Sequence, residues 1–335
     1  MSDRLPDAAS ERRLEEVRRE AEQRGRVSAR GIRPPGAPFP EATPENGYYG
    51  LPLLKEPVWT WEVPAYFFVG GAAGAAAVVA AAAQVTGADD DLVRDARWVA
   101  AAGAVLSGPL LVADLGRRAR FLNMLRVFKV QSPMSVGAWT LTAFGAASSA
   151  AAFADLVRRK TGLPVTLIAD AAGLLAGATG LGMATYTGVL IGATSIPAWS
   201  SQVRLLPIHF GASGLASAVS ILELMGRSER ALNVLGLTPA IVETAIGIAI
   251  ESSAEVATEP LRRGATGWTM RAAGFFSGPV PLVLRMLGGR SRRHRRAAAA
   301  CSLLGSLITR IAWIEAGRAS ARDSRVPLDL AHTSS

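Results

Sequence analysis

Residues 61–85 read WEVPAYFFVGGAAGAAAVVAAAAQV and contain one charged side chain, Glu62. A run of about 18 or more apolar residues is long enough to cross a bilayer as a helix. Similar runs recur along the chain as far as residue 314, and only 19% of its 335 residues are charged. The sequence therefore predicts an all-α integral membrane protein rather than a soluble domain.

Eight transmembrane helices are predicted from these runs. Their approximate bounds are Trp61–Val85, Ala96–Leu115, Ser135–Leu156, Pro164–Ala193, Leu206–Met225, Val234–Ser252, Trp268–Leu287 and Ala297–Ile314. The seventh run contains Arg271, Pro279, Pro281 and Arg285, which favour a kink or an interfacial position. An even number of spans places the N and C termini on the same side of the cell membrane. Basic residues are nearly equal in number on the two sides, so the positive-inside rule assigns no orientation.

The chain divides into three parts by composition. Residues 1–55 are a polar tail whose low apolar content predicts disorder, and residues 8–24 fit a solvated helix equally well. Residues 56–318 form the polytopic membrane domain, and residues 319–335 form a C-terminal tail. No apolar run follows Met1, so a cleaved signal peptide is not expected.

The cysteine and histidine counts exclude several redox centres. The chain has one cysteine and three histidines, and only His209 is near a predicted span. An iron–sulfur cluster needs about four cysteines, and a zinc site of the Cys/His type needs more ligands than are present. A haem with two histidine ligands inside the membrane would also lack a ligand. We therefore expect no haem, no iron–sulfur cluster and no metal in this chain.

The net charge of +9 is located in the loops between apolar runs. Residues 1–60 hold 10 basic and 10 acidic side chains, so the N-terminal part is neutral. This distribution is typical of a membrane surface and not of a nucleic-acid groove. The segment 114–129 alternates arginines with apolar residues, which predicts an amphipathic segment at the lipid surface or a docking platform for an acidic partner.

Ionisable side chains inside membrane spans are functional candidates. They are Glu62, Asp114, Asp170, Glu223, Glu243, Glu251, Arg310 and Glu315. Glu62, Glu223 and Glu315 are near span ends, where snorkelling to water is ordinary. For Arg310, both Asp114 and Glu243 are possible partners.

Glycine pairs four residues apart occur in several spans. They are Gly70 with Gly74, Gly173 with Gly177, and Gly188 with Gly192. In lipid, small residues at this spacing allow two helix backbones to approach closely. We interpret them as packing positions rather than as a nucleotide-binding loop.

Four stretches together resemble the NrfD/PsrC family, the quinone-interacting membrane subunits of polysulfide reductase-type complexes. They are EPVWTWEVPAYFFVGG at 56–71, DLGR with RFLNMLR and SPMSVGAW between 114 and 139, YTGVLIGATSIPAW at 186–199, and GSLITR with AGRASARD between 305 and 323. The matching stretches occur in order over residues 48–323.

The resemblance implies about eight helices in two four-helix bundles. It also implies a membrane anchor subunit that exchanges electrons and protons between quinone, either menaquinone or ubiquinone, and a docked ferredoxin-like 4Fe-4S subunit. That subunit would serve a catalytic subunit, often a molybdopterin enzyme. Our chain would be a non-catalytic or quinone-site subunit with no catalytic residue of its own.

The same resemblance implies the positions of a quinone site. A tyrosine of the fourth span corresponds to Tyr186, which is well inside that span. A histidine at the start of the first span corresponds to Tyr66, and an asparagine corresponds to Val63, which offers no hydrogen bond. With Trp61 beside them, Tyr186 and Tyr66 would contact the quinone, and Glu62, Asp114 or Glu223 would supply a proton path.

Two other functions compete with the quinone-linked anchor. Buried Asp170 and Glu243 favour a transporter or an ion-translocating protein without a redox role. A scaffold that only holds a partner in the membrane is the third possibility.

Overall fold

The structure is a computed structural model and describes residues 27–28, 31–32, 54–115, 118–288 and 291–323. In the N-terminal unit, Val27–Ser28 (β1) pairs antiparallel with Gly31–Ile32 (β2). The helix predicted at 8–24 lies outside the described residues. The remaining elements belong to a second unit, which begins at residue 53.

All the secondary-structure elements among the described residues of this second unit are helices. Its α-helices are Glu62–Val85 (α1), Asp90–Asp114 (α2), Pro133–Thr161 (α3), Thr166–Gly192 (α4), Pro197–Ser200 (α5), Leu205–Leu224 (α6), Arg230–Ser252 (α7), Glu259–Arg262 (α8), Gly264–Ser277 (α9), Pro279–Gly288 (α10) and Arg292–Arg322 (α11). Two 3-10 helices span Arg118–Leu125 and Val256–Thr258.

Seven of these helices are long and apolar enough to cross a membrane: α1, α2, α3, α4, α6, α7 and α11. The prediction of an all-α integral membrane protein is confirmed. The predicted seventh span is not one helix, because it is divided into α9 and α10. The division falls at Gly278, with φ −108° and ψ −92°, and Pro279 begins the next helix. Proline has no backbone N–H to continue the helix of the preceding turn.

The long helices pack in two groups. Helices α1 to α4 contact one another in the order α2, α1, α4 and α3, and α3 closes on α2. Helices α6, α7 and α11 pack with α9 and α10. Helix α6 also contacts α1 and α4, which joins the two groups.

The predicted glycine pairs lie where helices approach most closely. A Cβ atom on Gly74 of α1 would lie 2.5 Å from the carbonyl oxygen of Gly180 on α4. A Cβ atom on Gly188 would lie 2.5 Å from the carbonyl oxygen of Leu206 on α6. Only glycine fits at these two crossings, so the interpretation of Gly74 and Gly188 as packing positions is confirmed.

Two faces of the second unit are defined by the helix ends. The backbone N–H of Thr60, just before α1, donates to Asp114 at the end of α2 at 3.4 Å. Arg322, at the end of α11, forms a 2.6 Å ion pair with Glu56. We call this end, with Glu56, Thr60, Asp114 and Arg322, the proximal face. The other end, where α2, α4, α7 and α11 begin, is the distal face.

Arg97 ties together the four helices of the first group. It donates to Asp155 of α3 at 2.8 Å, to Asp170 of α4 at 3.0 Å and to Gln84 of α1 at 2.8 Å. Arg97 itself is on α2 and is buried. A buried charge costs free energy unless it is paired, so this arginine is stable only where all four helices are assembled.

A second buried ion pair joins α6 to α10. Arg285 donates two hydrogen bonds to Glu223, at 2.9 and 2.7 Å, and both side chains are about 1–2% exposed. The expectation that Glu223 reaches water at a span end is therefore wrong. Its partner Arg285 is on α10, the second part of the divided seventh span, and the sequence alone does not predict where this helix lies.

The Gly74 crossing provides a test of the helix packing. We expect Gly74→Leu to lower stability by about 1–3 kcal/mol or more, because its side chain would overlap the backbone of α4. The unfolding temperature of the purified protein in detergent measures this loss. Gly145→Leu is the matched control, because a Cβ atom there meets nothing within 4 Å. Equal unfolding temperatures for the two variants would contradict the assigned crossing.

The Glu223–Arg285 pair provides a second test. Arg285→Leu should destabilise the protein by about 3–5 kcal/mol, because it leaves a buried carboxylate without its partner. The double variant Glu223→Leu with Arg285→Leu removes both charges, and we expect it to recover most of the lost stability. Free energies of unfolding of the wild type and both variants measure the difference. A double variant less stable than Arg285→Leu would show that the two charges are not coupled.

Candidate functional site

A small cavity lies among helices α1 to α4 at the proximal face. Its volume is about 80 Å³, enough for a few water molecules. Tyr66 and Val63 line it from α1, Tyr186 lines it from α4, and Asp114 lies at its edge at the end of α2. The structure thus brings together three of the predicted site residues, and we call this space the tyrosine cavity.

Tyr186 is held by a hydrogen bond to the start of α3. Its hydroxyl donates to the carbonyl oxygen of Pro133 at 2.5 Å. Gly137, one turn later on α3, leaves the room for the ring, because a Cβ atom there would lie 2.1 Å from the Tyr186 Oη. A phenol has one hydrogen to donate, so Tyr186 presents lone pairs, not a donor, to the cavity.

Unlike the hydroxyl of Tyr186, the hydroxyl of Tyr66 does not donate to a backbone carbonyl of the described structure. Its side chain is 4% exposed, and its hydroxyl has no hydrogen-bond partner among the described residues. A buried phenol ordinarily finds a partner. The unpaired hydroxyl at the cavity therefore remains available to a bound molecule. Val63 contributes only apolar surface, as the sequence indicates.

The other predicted site residues have separate positions. Trp61 is 70% exposed and does not line the cavity. Glu62 does not line it either, but accepts a hydrogen bond from the hydroxyl of Thr60. The same hydroxyl is 3.1 Å from Asp114. Thr60 thus connects the carboxylate at the cavity edge to a second carboxylate closer to the surface.

The predicted amphipathic segment covers the proximal side of this cavity. It forms the 3-10 helix Arg118–Leu125, from which Met124 reaches the cavity, and Met134 joins it from α3. Arg118, Arg126 and Lys129 are exposed. Arg117 and the side chain of Arg120 lie outside the described part of the chain.

Several of the candidate carboxylates form ion pairs with arginines, which accounts for their presence in membrane spans. Asp170 is paired with Arg97, Glu251 with Arg271 at 2.6 Å, and Glu315 with Arg318 at 2.5 Å. These ion pairs hold helices or helix turns together. Their burial or span position therefore does not by itself indicate a functional role.

Arg310 has neither of the partners proposed for it. In the described structure it forms no ion pair with Asp114 or Glu243. It donates to the carbonyl oxygen of Phe210 at 2.9 Å, and its guanidinium lies 3.8 Å from the centre of the Phe210 ring. Its Nε and Nη1 atoms have no hydrogen-bond partner, although the side chain is 1% exposed.

A polar cluster surrounds Glu243 in the second group of helices. Its Oε2 accepts from Ser277 Oγ at 2.8 Å and lies 2.9 Å from His209 Nε2. Trp313 donates its indole N–H to His209 Nδ1 at 3.2 Å. Because Nδ1 accepts, the neutral imidazole carries its hydrogen on Nε2 and donates it to Glu243. The sequence identified Glu243 as a candidate but did not indicate these neighbours, which come from three other helices.

A cleft of about 440 Å³ adjoins this cluster. His209, Glu243 and Thr309 lie at its inner end, and Ile248 and Phe275 are exposed on α7 and α9. We call it the glutamate cleft. Nothing in the sequence pattern predicts it, because it results from the broken path of α9 and α10 beside α7.

Comparison with known proteins matches this chain to one family model. The family model NrfD_2, described as polysulfide reductase, matches residues 45–323. No curated protein matches the chain significantly. The family match covers most of the 335 residues and all of the long helices. The chain therefore belongs to the NrfD_2 polysulfide reductase family and is a membrane subunit of a redox complex.

Proposed function

We propose that this chain exchanges electrons and protons between membrane quinone and an iron–sulfur subunit docked on its proximal face. The docked subunit would be ferredoxin-like with 4Fe-4S clusters, and a catalytic subunit, often a molybdopterin enzyme in such complexes, would lie beyond it. The observation that carries this proposal is the meeting of Tyr66 and Tyr186, from separate spans, at one cavity.

The two phenols offer complementary hydrogen bonds. Tyr66, whose hydroxyl has no partner among the described residues, can donate to a quinone oxygen. Tyr186 donates to Pro133 and keeps lone pairs that can accept from the hydroxyl of a quinol. The pair can therefore bind both the oxidised and the reduced form of the same substrate.

The side chains that close the proximal side of the tyrosine cavity must move before a quinone ring can enter. Sites for small molecules usually measure about 300–1,000 Å³, which exceeds the 80 Å³ present. Met124 and Met134 contribute to the cavity wall at its proximal side. Methionine side chains are flexible and unbranched, so their displacement enlarges the cavity without breaking helix packing.

The proton path runs from the cavity to the proximal face. Asp114 lies at the cavity edge, and the hydroxyl of Thr60 contacts both Asp114 and Glu62. Exchange of two electrons with quinone is accompanied by two protons, so the site needs such a route to water. In this proposal Glu62 acts through Thr60 and does not touch the substrate, and Trp61 anchors the start of α1 at the membrane interface.

The basic segment beside the cavity is the proposed docking surface. Arg118, Arg126 and Lys129 are exposed at the proximal face, directly beside the cover of the tyrosine cavity. A positive surface attracts and orients an acidic partner. The exposed apolar residues of the same segment, Leu122, Val127 and Phe128, are suited to the lipid interface.

The orientation of the termini follows from counting the broken helix as an eighth crossing. The start of α1 and the end of α11 meet at Glu56 and Arg322. With seven unbroken helices and the α9–α10 pair, both ends of the membrane domain lie on one side of the cell membrane. The competing transporter function loses one of its two supports, because Asp170 is held by Arg97.

Removal of either phenol hydroxyl tests the quinone site. We expect Tyr66→Phe and Tyr186→Phe each to lower quinone-linked turnover of the assembled complex about tenfold, the equivalent of one hydrogen bond. Thr142→Val is the control, because it removes an exposed hydroxyl that bonds only its own helix. Turnover is measured in membranes containing equal amounts of each variant. Unchanged turnover in both tyrosine variants would favour the scaffold function instead.

Charge reversal tests the docking surface. Arg126→Glu with Lys129→Glu should weaken copurification of the iron–sulfur subunit several-fold, more so at low salt, because like charges repel across the interface. The control is Lys160→Glu with Arg296→Glu, which changes the net charge equally at the distal face. Equal recovery of the partner from both double variants would place the docking surface elsewhere.

A further inference from the structure

The glutamate cleft is the larger of the two cavities, although the family resemblance points to the tyrosine cavity. Its volume of about 440 Å³ lies in the range of sites for small molecules, whereas the tyrosine cavity measures about 80 Å³. It lies between α7 and α9, near Pro279 at the start of α10. Its lining includes three apolar buried residues, Ile250, Leu261 and Met270.

The inner end of the cleft presents one unpaired hydrogen-bond acceptor. Glu243 is 1% exposed and its Oε2 accepts from Ser277 and from His209. Its Oε1 has no partner in the described structure. An unpaired buried carboxylate oxygen costs free energy, and a ligand that donates a hydrogen bond to it would recover that cost.

The neighbours of Glu243 fix which kind of ligand this acceptor requires. Trp313 holds His209 in the tautomer that donates to Glu243, so the imidazole has no acceptor left for a ligand. Both hydrogen bonds to Glu243, from His209 and from Ser277, end at Oε2, so Oε1 is the atom left for a ligand. The ligand group at this end must therefore carry an O–H or N–H donor and no negative charge.

The mouth of the cleft indicates where such a ligand comes from. Ile248 is 65% exposed and Phe275 is 57% exposed, both on helix surfaces of membrane-spanning character. At the proximal end the exposed ion pair between Glu251 and Arg271 lies at the border of the cleft. A molecule dissolved in the bilayer can enter between these side chains with its apolar part against the walls.

We propose that the glutamate cleft is a second binding site, which takes a membrane-soluble quinol with one hydroxyl donating to Glu243 Oε1. A quinol combines an apolar ring and tail with an uncharged hydroxyl donor, as the cleft requires. Fatty acids and anionic lipid headgroups would bring a negative charge to a carboxylate. The identification of the ligand as a quinol rests on the proposed function, but the site is separate from the tyrosine cavity.

Two glycines allow the cleft to be filled without disturbing the fold. Gly247 of α7 and Gly274 of α9 both line it, and a Cβ atom on either meets nothing within 4 Å. Gly247→Phe and Gly274→Phe would each place a ring in the cleft. Gly145→Phe is the matched control, since Gly145 also faces open space but does not line either cavity.

The test is a fluorescence titration of the full chain in lipid nanodiscs with a heptyl-hydroxyquinoline N-oxide, a fluorescent quinol analogue. The wild type and Gly145→Phe should bind two equivalents. Both cleft variants should bind one equivalent fewer. Glu243→Gln should weaken that equivalent about tenfold, because an amide whose oxygen accepts from His209 and Ser277 offers the ligand only a donor.

The titration separates this proposal from the proposed function. Loss of an equivalent in Gly247→Phe and Gly274→Phe, but not in Tyr66→Phe, supports the cleft site whatever happens at the tyrosine cavity. If only Tyr66→Phe loses an equivalent, and both cleft variants bind like Gly145→Phe with equal unfolding temperatures, the cleft site is refuted and the proposed quinone site stands. Unchanged affinity in Glu243→Gln would refute the role of its carboxylate.

Discussion

A charge inside the membrane must find its counter-charge within the protein, and most of this structure depends on that constraint. Arg97 is bound by groups on α1, α3 and α4, so each of the first four helices contributes to solvating one guanidinium. Arg285 and Glu223 do the same for α10 and α6. Apolar burial gives little drive for helix association in lipid. Close glycine crossings supply the packing, and these buried ion pairs make the assembled arrangement specific.

Buried polar atoms that lack a partner are exceptions to this requirement for a counter-charge, and they are therefore informative. Among the described residues, Arg310 has two nitrogen atoms without partners, and Glu243 has an unpaired oxygen beside the glutamate cleft. Unsatisfied buried charges are costly and therefore are expected where a function requires them. Tyr66 is the neutral counterpart in the other cavity. The paired arginines Arg97 and Arg285 also each have an Nε atom without a partner among the described residues, so the two proposals rest on the position of Tyr66 and Glu243 at cavities.

The sequence predicts what depends on local patterns and misses what depends on distant neighbours. Apolar runs located the long helices, and glycine spacing located their crossings. Arg97 was not recognised, because its partners are on three other helices. The break at Gly278 was foreseen only as a kink, since prolines indicate a disturbance but not the two helices that result. That Tyr186 donates to Pro133, 53 residues away, has no signal in the sequence. The meeting of Tyr66 with Tyr186 was implied by the family resemblance, not by spacing.

The C-terminal part of α11 connects the two cavities. Hydropathy ends the last span at residue 314, but the helix continues to Arg322. Trp313 fixes the tautomer of His209, and its carbonyl oxygen accepts from the indole of Trp199 at 2.7 Å. Trp199 stacks on Trp59, a wall of the tyrosine cavity whose carbonyl oxygen accepts from Arg318. Because α11 contacts His209 of the glutamate cleft through Trp313 and Trp59 of the tyrosine cavity through Arg318, a shift of α11 would act on both cavities.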